Sequence, residues 1–306
     1  MILVAGGSGF IGAAAVRRLV ADGEDVLVMT AHPSRSGRRI AALGARAVGG
    51  DVLDEASLAP ALSGADVVVQ ALTFPTFPVQ RPRRGYTFEA FDGRGTSRLV
   101  DAAVAVGARK FVFVSGVGAS ADASQAWYRA KWEGEEHLRR AAIDHVILRP
   151  SWVYGPEDRA LNVFVWCSRF LPAIPVVGDG SQALQPVFVE DVARAIAQAA
   201  RPGGLSGTFE IGGPDVLSMN EVLRTMLAVR GARRALLHIP RWMAKAGGAV
   251  AQLWPWPKLS PEAVEFLTED AVADTEALRG HFDLDLTPFR VGLATYLAKG
   301  ARRPGP

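Results

Sequence analysis

An α/β architecture, a doubly wound parallel sheet followed by a smaller C-terminal lobe, is what this sequence predicts, and three observations carry the prediction. Short β-branched runs alternate with Ala-rich helical segments through the first half of the chain, the pattern of a sheet covered by helices on both faces. The first apolar run passes straight into a glycine-punctuated turn and a helical segment, AGGSGFIGAAAVRRLVADG. Beyond Pro150 the regular alternation gives way to a Pro- and Gly-interrupted pattern. With 306 residues and 49% apolar content, the chain has enough material for one large core with an attached lobe.

Taken in order, the strand candidates are residues 2–5, 25–29, 45–49, 67–71, 110–115 and 145–148. Helices are expected to begin near Gly9, Glu55, Gly95, Trp127 and Asp191, several behind small or acidic residues suited to capping a first turn. Residues 73–88, with Pro75, Pro78 and Pro82, form a long loop at the carboxyl end of the fourth strand, the edge where ligands sit in doubly wound sheets. In the second half, 178–180 reads as a turn, 205–212 as a strand and 218–231 as a capped helix. The expected domains are 1–150 plus 182–200 for the sheet, and 151–181 plus 201–306 for the smaller substrate or partner lobe.

Charge narrows the function. The 34 basic and 31 acidic residues leave a net +3, too little field to favour nucleic acid, although Arg35, Arg38 and Arg39, and then Arg81, Arg83 and Arg84, make local clusters able to serve a phosphate. Cys167 is the single cysteine, which excludes an intrachain disulfide and suits a reducing cytoplasm. MILVAGG carries no signal-peptide features, and the apolar stretch from Trp242 to Trp256 is too short and interrupted to span a bilayer, so a cytoplasmic protein without a transmembrane segment is expected. His137, His145, His238 and His281 are scattered, so no metal site is expected. Ser115-Gly116-Val117-Gly118 lacks the Gly-x-Ser-x-Gly pattern of a hydrolase nucleophile.

The glycine turn is the most informative feature. In the spacing Gly-x-x-Gly-x-x-Gly, Gly6 permits a tight turn, Gly9 lets the backbone approach a pyrophosphate and Gly12 allows close helix packing, while the helix start at Phe10 and Ile11 behind Ser8 favours negative charge. A strand–turn–helix carrying this motif at the head of a parallel sheet reads as a Rossmann dinucleotide site. At the end of the second strand, where an acid would hold the adenosine ribose of NAD, the sequence has Thr30, Ala31 and His32, with Arg35 close behind. NADP(H) is therefore preferred, with NAD(H) still open. Asp51 is a candidate partner for the adenine amino group, and Val52, Ala71, Leu72, Thr73, Ser115 and Pro150 complete the expected cofactor set at the same sheet edge.

Together with FVFVSGVGAS, YRAKWEGE, LRPSWVYGPED and VFVEDVARAIA in that order, these features resemble the extended and atypical short-chain dehydrogenase/reductases. The resemblance is strongest to the NAD(P)-dependent epimerase/dehydratase and NmrA-like branch, near proteins similar to the NADPH-binding accessory subunit of respiratory complex I. It implies that Lys131 holds the nicotinamide ribose, that Arg149 to Pro156 cross into the smaller lobe, and that Asp191 and Val192 begin a helix returning to the first domain. It also implies a catalytic Ser or Thr just after the fifth strand and a Tyr four residues before the Lys, whose tyrosinate moves the proton.

The chain departs from that pattern twice. The serine position falls on Gly116, with Ser115 one residue earlier, and the tyrosine position falls on Trp127, with Tyr128 one residue later. One residue rotates a helical side chain by about 100°, and an indole has a donor but no usable acid/base pKa. Two functions follow as expectations. One is an NADPH-dependent oxidoreductase or epimerase/dehydratase-like enzyme on a small, apolar organic substrate, with Tyr128 as proton donor, Lys131 supporting it and Ser115 polarising a carbonyl. The other is a non-catalytic NADPH-binding sensor or assembly factor with a protein partner or a second copy of itself. The stretch PRWMAKAGGAVAQLWPWPKL reads either as packing against its own lobe or as an amphipathic face for a greasy ligand or a membrane surface.

Overall fold

A computed structural model of the chain describes residues 1–244 and 268–298. Two compact units emerge: the first comprises Met1–Pro150, Val189–Ile211 and Ala273–Asp285, the second Ser151–Phe188, Gly212–Val272 and Leu286–Pro306.

The first unit is built on a seven-stranded sheet. Its strands are β1 (Ile2–Ala5), β2 (Val26–Thr30), β3 (Arg46–Gly49), β4 (Val67–Gln70), β5 (Lys110–Val114), β6 (Asp144–Pro150) and β11 (Gly207–Ile211), in the order β11-β6-β5-β4-β1-β2-β3, all parallel. The central strands ILVA, VVVQ and KFVFV are buried at every position, which is why they read as continuous apolar runs. Strand β3, at one edge, has no buried residue. Strand β11 corrects the sequence reading, which placed it in the smaller lobe: Phe209 and Ile211 are buried, and it pairs with Val146 to Pro150 as the seventh strand of the sheet.

Helices α1 (Phe10–Ala21), α2 (Pro33–Ala42), α3 (Leu58–Leu62), α4 (Arg94–Ala105), α5 (Ala126–Arg140), α7 (Val189–Ala199) and α9 (Glu276–His281) also belong to this unit. The Ala13-Ala14-Ala15 run, fully buried with Val16 and Leu19, lets α1 pack against α7, so α7 returns to the first unit as the resemblance implied. A buried carboxylate ties α5 to the sheet. Glu135 accepts hydrogen bonds from Arg149 Nε at 2.9 Å and from Arg139 Nη2 at 2.7 Å.

The second unit holds three small strand pairs: β7 (Val153–Tyr154) with β10 (Val187–Phe188), β8 (Ala173–Val177) with β13 (Ala235–Ile239), and β9 (Ala183–Leu184) with β12 (Leu217–Ser218). Helices α6 (Ala160–Phe170), α8 (Met219–Arg230) and α10 (Phe289–Leu297) complete its described part. Helix α8 starts on a capping box between Ser218 and Glu221 and stops at Gly231 with φ +63°, matching the capped helix read from sequence. Tyr154 sits fully buried, edge-on to Phe289 at 4.9 Å. No described helix is long and apolar enough to cross a membrane. Most of the stretch from Trp242 to Trp256 lies outside the described residues.

Candidate functional site

The glycine turn forms a tight cradle at the carboxyl end of β1. Gly6 adopts φ +87°, and a Cβ on it would lie 2.5 Å from the Ala71 carbonyl oxygen. A Cβ on Gly12 would lie 2.2 Å from the Gly6 carbonyl oxygen. The Gly9 N–H closes the turn by donating to that same oxygen at 2.9 Å. Helix α1 then begins at Phe10 with no side-chain cap, so its first-turn N–H groups face the position where a pyrophosphate would sit. Ser8, Phe10 and Ile11 border the cradle half-buried, and the backbone of Ala71 and Leu72 closes against Gly6. A dinucleotide fits these residues: any larger side chain at Gly6 or Gly12 would fill the space.

At the adenosine end, the His32 N–H donates to Thr30 Oγ1 at 3.2 Å, and the Thr30 hydroxyl donates to Ser36 at 3.4 Å. Helix α2 starts at Pro33 and carries Arg35, Arg38 and Arg39 with only Ile40 buried, so the basic cluster stands at the tip of β2. Asp51 has a local task, since its Oδ1 accepts the Leu53 N–H at 2.9 Å. Val52 is buried and its carbonyl accepts from Arg98, while Thr73 is exposed.

The residues expected at the reactive end gather at the end of β5. Ser115 is buried with its N–H donating to the Leu148 carbonyl at 2.8 Å, and its Oγ has no hydrogen-bond partner. Val117 N–H donates to the Pro150 carbonyl at 3.1 Å, bringing that residue to the same edge. The indole of Trp127 lies over Gly116, where a Cβ would meet its Cη2 at 2.8 Å. Its ring centre is 5.7 Å from that of Phe77 in the long loop after β4 and 5.0 Å from that of Tyr128. Tyr128 is turned toward Gly118, whose Cβ would stand 3.5 Å from Cε1 of the phenol ring.

Lys131 is 2% exposed and reaches inward. Its ammonium lies 3.0 Å from Asp92, donates to the Val114 carbonyl at 3.1 Å, and sits 5.0 Å from the Phe113 ring centre. Asp92 was not singled out by the sequence reading. It is carried by a wide π-helical turn, Glu89–Gly93, that leads into α4. The approach is possible because a Cβ on Gly134 would already touch the Asp92 carbonyl at 3.0 Å, so α5 lies close against that turn. Burial raises the Asp92 carboxyl above its usual range, and the Lys131 charge and the Trp127 indole oppose the rise. A signal for Asp92 existed in the sequence: it falls on the same helical stripe as the buried Thr96, Leu99, Val100 and Ala103.

Comparison with known proteins places this geometry. An NAD(P)H-binding family matches residues 6–201, and the RmlD substrate binding domain matches residues 123–301. The chain is an atypical short-chain dehydrogenase/reductase. It is 30% identical over 94% of its length to NADH dehydrogenase (ubiquinone) 1 alpha subcomplex subunit 9 of Arabidopsis thaliana, and spans 74% of that protein. It is 29% identical to the counterpart from Rattus norvegicus but spans only 62% of it. It is 27% identical over 83% of its length to a ceramide reductase of Caulobacter vibrioides, spanning 78% of that enzyme. Among solved structures, MoeE5 in complex with UDP-glucuronic acid and NAD superposes with a TM-score of 0.72 at 22% identity, covering 97% of both chains. The NADPH-dependent quinone oxidoreductase QOR2 of Escherichia coli superposes at 0.73 and 16% identity, covering 96% of this chain and 99% of that one. These two likenesses show the shared Rossmann fold.

Proposed function

We propose that this short-chain dehydrogenase/reductase holds NADP(H) as a resident ligand that orders the protein for a partner, without the usual tyrosine-driven turnover. The carrying observation is the cluster of Trp127, Lys131 and Asp92. Bound NADP(H) supplies a hydride donor or acceptor, but reduction of a carbonyl also needs a proton at the substrate oxygen. The indole over Gly116 has no proton to exchange near neutral pH. The ammonium that would favour a phenolate is committed to a carboxylate 3.0 Å away, which compensates its charge. Similarity to complex I subunits supports the partner-binding reading. On this reading Gly6, Ser8, Gly9, Phe10, Ile11, Gly12, Ala71, Leu72 and Thr73 bind the dinucleotide backbone, Thr30, His32 and Arg35 take the 2′-phosphate, and Lys131, Ser115 and Pro150 border the nicotinamide. Asp51 and Val52 flank the adenine. The second unit, Ser151–Phe188, Gly212–Val272 and Leu286–Pro306, presents the partner surface, and the buried thiol of Cys167 suits a cytoplasmic setting.

The test pairs binding with turnover. NADPH raises the unfolding temperature, while NADPH fluorescence stays constant over a panel of carbonyl, quinone and ceramide-like substrates. Steady NADPH oxidation that is abolished by Tyr128→Phe overturns the proposal.

A second reading has its own support in the likeness to the ceramide reductase. Here Tyr128 protonates the alkoxide of an apolar ketone, Ser115 polarises the carbonyl and Lys131 steadies the ribose. The same assay separates the two, because only this reading consumes NADPH and responds to Tyr128→Phe.

A further inference from the structure

In the second unit, helix α6 presents Trp166, Arg169 and Phe170 at spacings of three and four residues, hence on one face. Trp166 is 38% exposed and Phe170 65%, with their rings tilted by 41° and their centres 5.1 Å apart. Two neighbouring aromatics left in water are unusual on a helix that could have carried polar residues there. Arg230, the last residue of α8, reaches across to this helix: its Nη1 donates to the Val165 carbonyl at 2.9 Å and to Ser168 Oγ. Burial presses the Arg230 pKa down, and the like charges of nearby Arg169 and Arg234 add to that effect. Beside them Arg224, Arg233 and Arg234 line an open depression of about 750 Å³ that also meets Pro172.

Among the described residues, the charge on this face is not balanced. Among the described residues, no carboxylate forms an ion pair with Arg169, Arg230, Arg233 or Arg234; Glu221 is near Arg224 alone. Gathering cations that repel each other opposes folding, and an external anion removes the penalty. Paired aromatics beside arginines also match the chemistry of a membrane interface, where flat amphipathic rings sit at the headgroup level and guanidinium groups hold phosphates. Charge complementarity supplies the anionic headgroup, and the protruding rings favour a penetrable surface over a folded acidic protein.

We propose that this face of the second unit docks on an anionic lipid surface, with headgroup phosphates in the arginine depression and Trp166 and Phe170 at the interfacial layer. The contact is peripheral, resting on electrostatics plus two inserted rings. It is independent of how the dinucleotide is used.

Sedimentation of the full chain with vesicles tests it, using phosphatidylcholine alone and phosphatidylcholine mixed with phosphatidylglycerol. Binding is expected to the mixed vesicles only, and to weaken as salt shortens the screening length. Arg233→Ser with Arg234→Ser lowers the partition coefficient about 25-fold, about fivefold for each charge. Trp166→Ser with Phe170→Ser lowers it at every salt concentration. An unchanged NADPH-induced shift in unfolding temperature shows that each variant is folded. Absence of binding to mixed vesicles, or equal binding by wild type and variants, overturns the proposal. Salt-sensitive capture of polyglutamate without vesicle binding also overturns it, in favour of an acidic protein partner.

Discussion

Lys131 and Asp92 face each other at 3.0 Å inside the first unit, neither reaching solvent, and they come from α5 and from the wide turn that opens α4. The pair joins two elements that are distant in sequence. Removing one member strands the other in a low-dielectric interior. Lys131→Met is expected to destabilise the protein by about 3–5 kcal/mol, with Lys131→Met/Asp92→Asn recovering much of the loss. Urea denaturation of the single and double variants reads the coupling. Additive losses would mean that the two residues do not act as a pair.

Gly116 and Trp127 form a size-matched couple. A serine at Gly116 would place its Cβ against the indole, and Gly116→Ser is expected to cost about 1–3 kcal/mol through overpacking. Trp127→Tyr, which shortens the ring, relieves that cost in the double variant. Equal denaturation midpoints for wild type and Gly116→Ser would contradict the contact.

Dinucleotide binding rests on the cradle. Gly12→Val drives its side chain into the Gly6 carbonyl and is expected to abolish the NADPH-induced rise in unfolding temperature. For the wild type, ligand at 100 times its Kd adds about 2.7 kcal/mol of stability. Differential scanning fluorimetry across an NADPH titration measures both, and an undiminished shift in the variant would count against the site.

On the proposed reading, cofactor choice depends on the basic start of α2. Arg35→Glu is expected to weaken NADPH binding about tenfold or more, by removing a charge-assisted contact to the 2′-phosphate, and to leave NADH nearly unchanged. Parallel fluorescence titrations with the two nucleotides decide it. A loss shared equally by both would mean that Arg35 does not read the phosphate.

Asp158 supplies a pH dependence. It is buried at the start of α6, where its two oxygens accept the N–H groups of Ala160 and Leu161, and burial still pushes its carboxyl up to about 6. The unfolded chain releases this proton near 3.8, so between pH 4 and pH 6 the folded state holds a proton that the unfolded state has lost. Stability from this group is therefore full below pH 4 and declines as pH rises through 6, by about 2–3 kcal/mol. Asp158→Asn flattens that part of the profile, which urea midpoints between pH 4 and pH 7 will show. An identical slope in the variant would assign the dependence elsewhere.

Much of this protein was legible in one dimension because its signals are local. The apolar runs of β1, β4 and β5, the Gly6, Gly9 and Gly12 turn, and the Ser218 to Gly231 caps each declare themselves within a few residues, through strand burial, steric need or hydrogen bonding. The substitutions at Gly116 and Trp127 were equally plain as departures from a known spacing. What they mean was not, because a spacing does not say whether an indole points into the gap or away from it.

The same division runs through the reactive end. Local sequence sufficed for the Rossmann sheet and its glycine cradle, since those depend on backbone conformation and short-range pattern. The placement of Trp127 over Gly116, the pairing of Lys131 with Asp92 across 39 positions of chain, and the recruitment of Gly207–Ile211 into the sheet arise from long-range packing. Such contacts are settled by which surfaces exclude water together, a property of the folded chain that no single segment carries.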